Sequence, residues 1–255
     1  MNKETVPYGS LCTEYYELER PNAPEEALQC YLQFAKEAHG PILEPMCGSG
    51  RFLIPLLQQG YAITGFDYSS HMLDMCRKKC NALGLNPDLQ EATFETFSHS
   101  DSYHLIFIPS GSFCHLITPE QVTRALKFVV DRLKKGGKFV FEVETLKAVR
   151  SPQGVWRGSW VSKPDGSKIV RNFLTHFDPS SSIETGLFRY ELWERNAITR
   201  AEVESFYLRL YRPSEIERLL DEHGLKIVNK RQTETYETVE ASESSPVILY
   251  ECVKN

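Results

Sequence analysis

Residues 41–53 read Pro-Ile-Leu-Glu-Pro-Met-Cys-Gly-Ser-Gly-Arg-Phe-Leu, and this stretch constrains the fold more tightly than any other. A short apolar strand ends in an acid, a tight turn carries two glycines, and an apolar helical pattern follows over 51–59. A second apolar run, 61–66, ends in Asp67. Strand, glycine turn, helix, strand and terminal acid describe a βαβ unit of the kind that holds a nucleoside. The glycines let a ligand lie against bare backbone, since no Cβ stands in the way. At the end of the second strand, the Asp67 carboxylate is placed to accept both hydroxyls of a ribose.

The nucleoside is not written as a dinucleotide. A G-x-G-x-x-G fingerprint asks for a third glycine where the helix packs on the sheet, and Leu53 stands there. Glu44, at the mouth of the turn, repels a pyrophosphate and suits a ligand with an ammonium or a sulfonium. S-adenosylmethionine has a ribose, an ammonium, a sulfonium and no phosphate.

In the form E-x-x-C-G-S-G-R, residues 44–51 closely resemble motif I of the class I S-adenosylmethionine-dependent methyltransferases. The run Asp67-Tyr68-Ser69-Ser70-His71-Met72-Leu73 resembles their second motif. The resemblance covers residues 1–145 and returns near residue 208. It implies a Rossmann-like α/β fold with a doubly wound, mostly parallel seven-stranded sheet, and transfer of a methyl group from S-adenosylmethionine. It implies cofactor contacts from Glu44, Met46, Cys47, Gly48, Ser49 and Gly50 in the turn. Asp67, Tyr68 and Met72 follow around the second strand, Ala92, Thr93 and Phe94 after the third, and Pro109 and Ser110 after the fourth. The segment ahead of the first strand often folds over the cofactor in such enzymes. Tyr16 and Arg20, with Tyr15, read either as that lid or as ordinary packing and surface residues.

Two departures narrow the reading. Where the family commonly has an acid that meets the adenine amino group, this chain has Ala92-Thr93-Phe94, so Thr93 or backbone must serve. Pro109-Ser110 replaces the N-P-P-[YF] motif of adenine and glutamine N-methyltransferases and counts against those acceptors. His115, just past the fourth strand, is the candidate catalytic base, its ordinary pKa being near working pH; the alternative is a packed histidine bonded to a backbone carbonyl.

With 255 residues and 41% apolar content, the chain suits one domain with an inserted subdomain. The net charge of −5 carries no electrostatic footprint for nucleic acid, and the basic residues within 124–138 read as the solvated face of a helix. No apolar stretch is long enough to span a bilayer, and residues 1–7 lack the core of a signal peptide. Seven cysteines contain no C-x-x-C pair, and Cys76 and Cys80, one helical turn apart, have no partner pair to complete a metal site. No metal is expected, and the chain reads as reduced and cytoplasmic.

Periodicity predicts helices near 25–38, 70–84, 118–133 and 214–224, with Ser69 or Ser70, Thr118 and Ser214 as N-caps and Gly136-Gly137 ending the third. The division expected is a cap over 1–40, a core over 41–149 and 208–255, and an antiparallel insert over 150–207. In the insert, strands near 155–163, 168–177, 186–195 and 201–210 alternate aromatic and charged residues as a meander. Residues 234–245 read as a hairpin loop before the last strand. The insert is expected to govern the choice of a small-molecule acceptor rather than cofactor affinity, its aromatics being covered by that acceptor, by the chain's own core or by a second subunit in a homodimer. The competing readings are an NAD-dependent oxidoreductase and a non-catalytic S-adenosylmethionine-binding module.

Overall fold

The structure, a computed structural model, describes residues 8–99, 102–233 and 244–254. Two helices come first, α1 (Ser10–Glu19) and α2 (Glu25–Ala38). There follow β1 (Ile42–Pro45), α3 (Leu53–Gln58), β2 (Ile63–Asp67), α4 (Ser70–Ala82), β3 (Asp88–Glu91), β4 (Tyr103–Ile108), α5 (Pro119–Arg132) and β5 (Leu133–Glu144). Four strands come next, β6 (Arg157–Ser162), β7 (Lys168–Asp178), β8 (Ile183–Glu194) and β9 (Ala197–Arg209). The chain closes with α6 (Pro213–Glu222), β10 (Leu225–Gln232) and β11 (Val247–Lys254).

Seven strands form one sheet in the order β10-β11-β5-β4-β1-β2-β3. Only β11 runs against its neighbours, β5 and β10. Both faces are covered, which is why β4 is apolar nearly throughout rather than alternating. Tyr31 and Phe34 of α2, Leu53 of α3 and Leu73 and Cys76 of α4 pack on one face. Val122, Leu126 and Val129 of α5 pack on the other, with Ile216 and Leu220 of α6. β1 has β2 on one side and β4 on the other, both parallel. The strand order therefore reverses at β1/β4, and a crevice opens at the carboxyl ends there.

Local chemistry sets several element ends as expected. Ser69 caps α4 by accepting the Met72 N–H, and Thr118 and Gln121 form a capping box on α5. Three boundaries differ. α5 gives way at once to β5, so Gly136 and Gly137 lie inside that strand; Gly136 takes φ +78 where the pairing with β4 slips. α6 starts from Arg212, with Pro213 rather than a Ser214 cap setting the first turn, since proline's fixed φ already suits a helix start. Between β8 and β9 the turn is only Arg195-Asn196, both at positive φ (49° and 65°), the geometry that matches strand twist in a two-residue hairpin.

The meander forms a separate four-stranded sheet, β6-β7-β8-β9. It leaves and rejoins the large sheet at one place, where the Tyr211 N–H bonds the Glu144 carbonyl (3.0 Å). α1, a helix that periodicity did not predict, covers its inner face: Leu11, Cys12 and Tyr15 pack on Ile169 and Tyr190. Trp160, Trp193, Val203 and Tyr207 are exposed. Most of the predicted 234–245 loop, residues 234–243, lies outside the described residues. Among the described residues no helix is long and apolar enough to cross a membrane, and no cluster of His, Cys, Asp or Glu is arranged to hold a metal.

Candidate active site

The crevice at β1/β4 is lined by backbone in unusual conformations. Met46 (φ 57°) and Gly48 (φ 53°) follow β1, and Ser110 (φ 58°) follows β4. For Met46 and Ser110 such angles cost on the order of 1–3 kcal/mol each, so the surroundings must over-determine them. Asp67 does this for the first turn: Oδ2 accepts the Gly48 N–H (2.9 Å) and Oδ1 the Ser69 N–H (2.8 Å). Burial raises the Asp67 pKa, and those N–H groups oppose the rise. Glu142 holds the second turn, Oε2 accepting the Ser110 N–H (3.1 Å) and Oε1 the Tyr31 hydroxyl (2.8 Å).

Glu44 is only 2% exposed, and its Oε2 has no hydrogen-bond partner among the described residues. Burial pushes its carboxyl well above the ordinary range, and the charge of Asp67 adds to the shift. A Cβ on Gly48 would meet nothing within 4 Å, so backbone lies bare to the cleft at that point.

Tyr8 and Tyr16 stand over the cleft from the α1 side. Arg51 Nη1 donates to the Tyr16 hydroxyl (2.6 Å), and its Nε to the Asn22 carbonyl (3.1 Å). The backbone N–H groups of Tyr8 and Gly9 donate to Glu204 of β9 (2.9 and 2.8 Å), and Ser69 Oγ donates to the Tyr8 carbonyl (2.8 Å). The segment is thus fastened to both sheets. His115 closes a 3-10 turn after β4, its Nε2 3.5 Å from the Tyr8 hydroxyl and its ring beside Phe206. Burial lowers its pKa to about 4, against a hydrogen bond with the Tyr207 backbone, so the imidazole is neutral at working pH.

The cleft has about 70 Å³ of free room, and a larger cavity of about 340 Å³ adjoins it. Tyr8, Tyr16, Ser110 and His115 line both. The larger one is walled by α1 and the inner face of the four-stranded sheet, including Phe173, Phe188 and Phe206.

Residues 42–137 match the profile of the methyltransferase domain family. A Geobacillus sp. (strain WCH70) protein named as a methyltransferase is 23% identical over 136 residues, 51% of this chain and 55% of its own length. YqeM of Bacillus subtilis (strain 168), also named as a methyltransferase, is 24% identical over 254 residues, 97% of each chain. A S-adenosylmethionine-dependent methyltransferase from Clostridium acetobutylicum ATCC 824 superposes with a TM-score of 0.78 at 18% identity, over 95% of this chain and 96% of that one. The sugar N-methyltransferase KedS8 from Streptoalloteichus sp ATCC 53650 superposes at 0.74 with 17% identity, over 99% and 97%. At these identities the structural likeness is one of fold. Residues 42–137 thus carry a methyltransferase domain, and the chain as a whole shares the fold of S-adenosylmethionine-dependent methyltransferases.

Of the residues singled out in sequence, the fold brings Tyr16, Glu44, Met46, Cys47, Gly48, Ser49, Asp67, Tyr68, Met72, Pro109, Ser110 and His115 to the cleft. Six others stand elsewhere. Gly50 (φ +81) faces α4, where a Cβ would come 2.5 Å from Cys76 Sγ, so it serves helix packing. Arg20 is exposed, pairs with Glu19 and borders the larger cavity. Ala92, Thr93 and Phe94 do not line the cleft: Ala92 is buried, Thr93 closes a turn with Thr96, and Phe94 packs on Phe66 and Phe128. Tyr15 is no lid either, since its hydroxyl bonds Glu19 and Ser159 beneath α1. Tyr8, Arg51, Phe52 and Ser112 line the cleft without having been singled out. Arg51 ends motif I and Phe52 directly follows it, so the motif itself was the available signal; Tyr8 carries none.

Proposed function

We propose that the β1/β4 cleft holds S-adenosylmethionine and that the adjoining cavity takes a small-molecule acceptor with a nitrogen or oxygen nucleophile. The observation that carries this reading is Glu44, a buried carboxylate with an oxygen lacking a partner among the described residues, beside Asp67 and the bare backbone of Gly48. Two carboxylates repel a pyrophosphate and attract an ammonium or sulfonium, which disfavours the nicotinamide reading. On this reading Asp67 accepts ribose hydroxyls, Glu44 faces the cationic end, and Met46 to Ser49, Tyr68, Met72, Pro109 and Ser110 shape the cradle.

When bound, the cofactor supplies a methyl group already activated on a sulfonium. The residues of this chain align and exclude water, and alignment supplies roughly 7–11 kcal/mol of barrier reduction. With a pKa of about 4, His115 does not strip a proton from an ammonium. It accepts a hydrogen bond from a nucleophile that arrives neutral and so orients it. A small acceptor agrees with the size of the adjoining cavity, about 340 Å³, and with KedS8, a sugar N-methyltransferase of the same fold.

We carry the division into cap, core and insert as part of this proposal, and with it a homodimer through the exposed outer face that bears Trp160 and Val203. The seven free cysteines support a reduced, cytoplasmic setting. Differential scanning tests the cofactor: S-adenosylhomocysteine should raise the melting temperature and NADH should not. Asp67→Ala should weaken that binding on the order of 10–100-fold, the worth of a charge-assisted bond. Stabilisation by NADH alone would overturn the reading. Sedimentation of Trp160→Glu tests the dimer.

A further inference from the structure

The larger cavity holds more cation than its own carboxylates can pair. Arg150 is bonded by both Glu144 and Glu184. Arg171 is held by Glu19 (3.1 and 3.2 Å), the carboxylate that Arg20 also approaches (3.5 Å). Arg157 has no carboxylate within 4.0 Å among the described residues. Its Nη1 and Nη2 donate at 3.3 Å, to the Ser151 carbonyl and the Thr175 hydroxyl, and its buried Nε has no partner. The whole chain carries −5, so a surplus guanidinium inside it is not a consequence of general basicity.

Strand register explains how the surplus arises. Arg157 of β6 lies opposite Phe173 of β7, Phe173 opposite Phe188 of β8, and Phe188 opposite Glu204 of β9. On β7, Arg171 and Thr175 flank Phe173 on the same face, as period two requires. The guanidiniums of Arg157 and Arg171 both stack on the Phe173 ring, 4.9 and 5.1 Å from its centroid. Phe173 and Phe188 are stacked 5.2 Å apart with 7° between planes, and Phe188 meets Phe206, which leads to His115. Along this row the inner face runs from Arg157 at the β6 edge across the stacked Phe173 and Phe188 to Phe206, beside which stands His115 of the turn after β4, while Glu204 of β9 is taken up by the Tyr8 and Gly9 N–H groups. Three inter-strand steps span about 14 Å.

We propose that the acceptor bears an oxyanion, a carboxylate or a phosphate, that binds Arg157 at the β6 edge while its nucleophile lies at His115. The Thr175 hydroxyl adds a donor beside Arg157, and Arg171 adds a second positive charge. An apolar or planar midsection lies along Phe173 and Phe188. Planar guanidinium bound to an oxyanion by parallel N–H groups fixes orientation as well as affinity, so this end sets the register of the nucleophile against the methyl group. The proposal rests on the methyl-transfer reading for the role of His115, but its anion site is tested separately.

The test uses full-length protein saturated with S-adenosylhomocysteine, titrated with inorganic phosphate and with acetate at constant ionic strength and followed by melting temperature. A saturable rise is expected for wild type, and which anion acts at lower concentration separates the phosphate from the carboxylate class. Arg157→Gln should weaken the response tenfold or more, Arg157→Lys should retain part of it, and Arg218→Gln, on the exposed face of α6, should leave it unchanged. An unchanged response in Arg157→Gln overturns the proposal, as does no saturable response to either anion in wild type. If Arg157→Gln does not fold, Arg157→Lys decides: a response equal to wild type with the bidentate fork removed overturns it. Failure of S-adenosylhomocysteine to stabilise the protein would sink the cofactor reading instead, and the anion titration run without it still reads the Arg157 site.

Discussion

Gly48 and Gly50 sit two residues apart in one turn and do different work. Gly48 borders the cleft with open space where a side chain would go, whereas Gly50 is pressed against Cys76 and Ile54 of the neighbouring helices. Gly48→Val should therefore abolish S-adenosylhomocysteine binding by calorimetry while the protein still folds, at a cost of about 1–3 kcal/mol for a branched residue at φ +53. Gly50→Ala should instead lower stability by about 1–3 kcal/mol in a denaturant melt, while the folded fraction still binds. Glu44 couples stability to the cofactor. Its pKa in the folded protein lies above its unfolded value, so ionisation above the unfolded pKa costs folding energy. Glu44→Gln removes that cost, and the free protein should melt about 2–4 °C higher for each kcal/mol regained. The same change should weaken S-adenosylmethionine on the order of 10–100-fold. Since an ammonium favours the carboxylate form, wild-type affinity should rise with pH from the ordinary glutamate range up to the raised value and then level. The Gln variant should be flat across that window. A wild-type affinity flat there too would remove Glu44 from the cationic end of the site.

At the scale of elements, α1 is the part that joins the two sheets. It seats Leu11, Cys12 and Tyr15 on the meander and passes Tyr16 to the cleft, where Arg51 holds it. The cleft has about 70 Å³ of free room and shares Tyr8 and Tyr16 with the larger cavity, so entry of a nucleoside is expected to displace Tyr8 and α1 outward. Hydrogen exchange of α1 amides should then slow markedly when S-adenosylhomocysteine binds, and exchange unchanged by saturation would show that α1 is no cover. The same packing changes the expectation for the insert. Replacing residues 150–207 with a short linker takes away the seat of α1, so cofactor affinity should fall tenfold or more along with methyl transfer. An affinity within a few-fold of wild type would restore the simpler division, in which the insert serves the acceptor alone.

For the whole molecule, the spectroscopic probes divide conveniently. All three tryptophans, Trp156, Trp160 and Trp193, lie in or beside the four-stranded sheet, while most of the helices flank the seven-stranded one. Tryptophan fluorescence and far-ultraviolet circular dichroism therefore report on different bodies. Because Glu204, Ser69, Arg51 and His115 all hold the Tyr8–Tyr16 segment, denaturant unfolding should give coincident transitions by both probes. Removing residues 1–20 should separate them. Two transitions in the intact chain would mean that the sheets fold independently.

The βαβ unit, Glu44 and Asp67 at its strand ends, the capping of α4 and α5 and the antiparallel meander were legible in the sequence. Each depends on residues close together in the chain, where periodicity and turn chemistry act directly. The acceptor cavity was not legible in that way. Arg157, Arg171 and Thr175 read in sequence only as residues of a meander, and they come to line one cavity with His115 only through strand register and the way the meander turns its inner face toward the core. Nor did spacing reveal that Gly50 faces Cys76, that Thr93 and Phe94 turn away from the cleft, or that α1 lies across both sheets. Those outcomes depend on contacts between positions far apart in the chain, which hydrophobic period does not encode. Sequence determined which cofactor chemistry the first turn can hold; tertiary packing alone decided what covers it and which charges wait beside it, because unpaired charge is a property of a cavity and not of a motif.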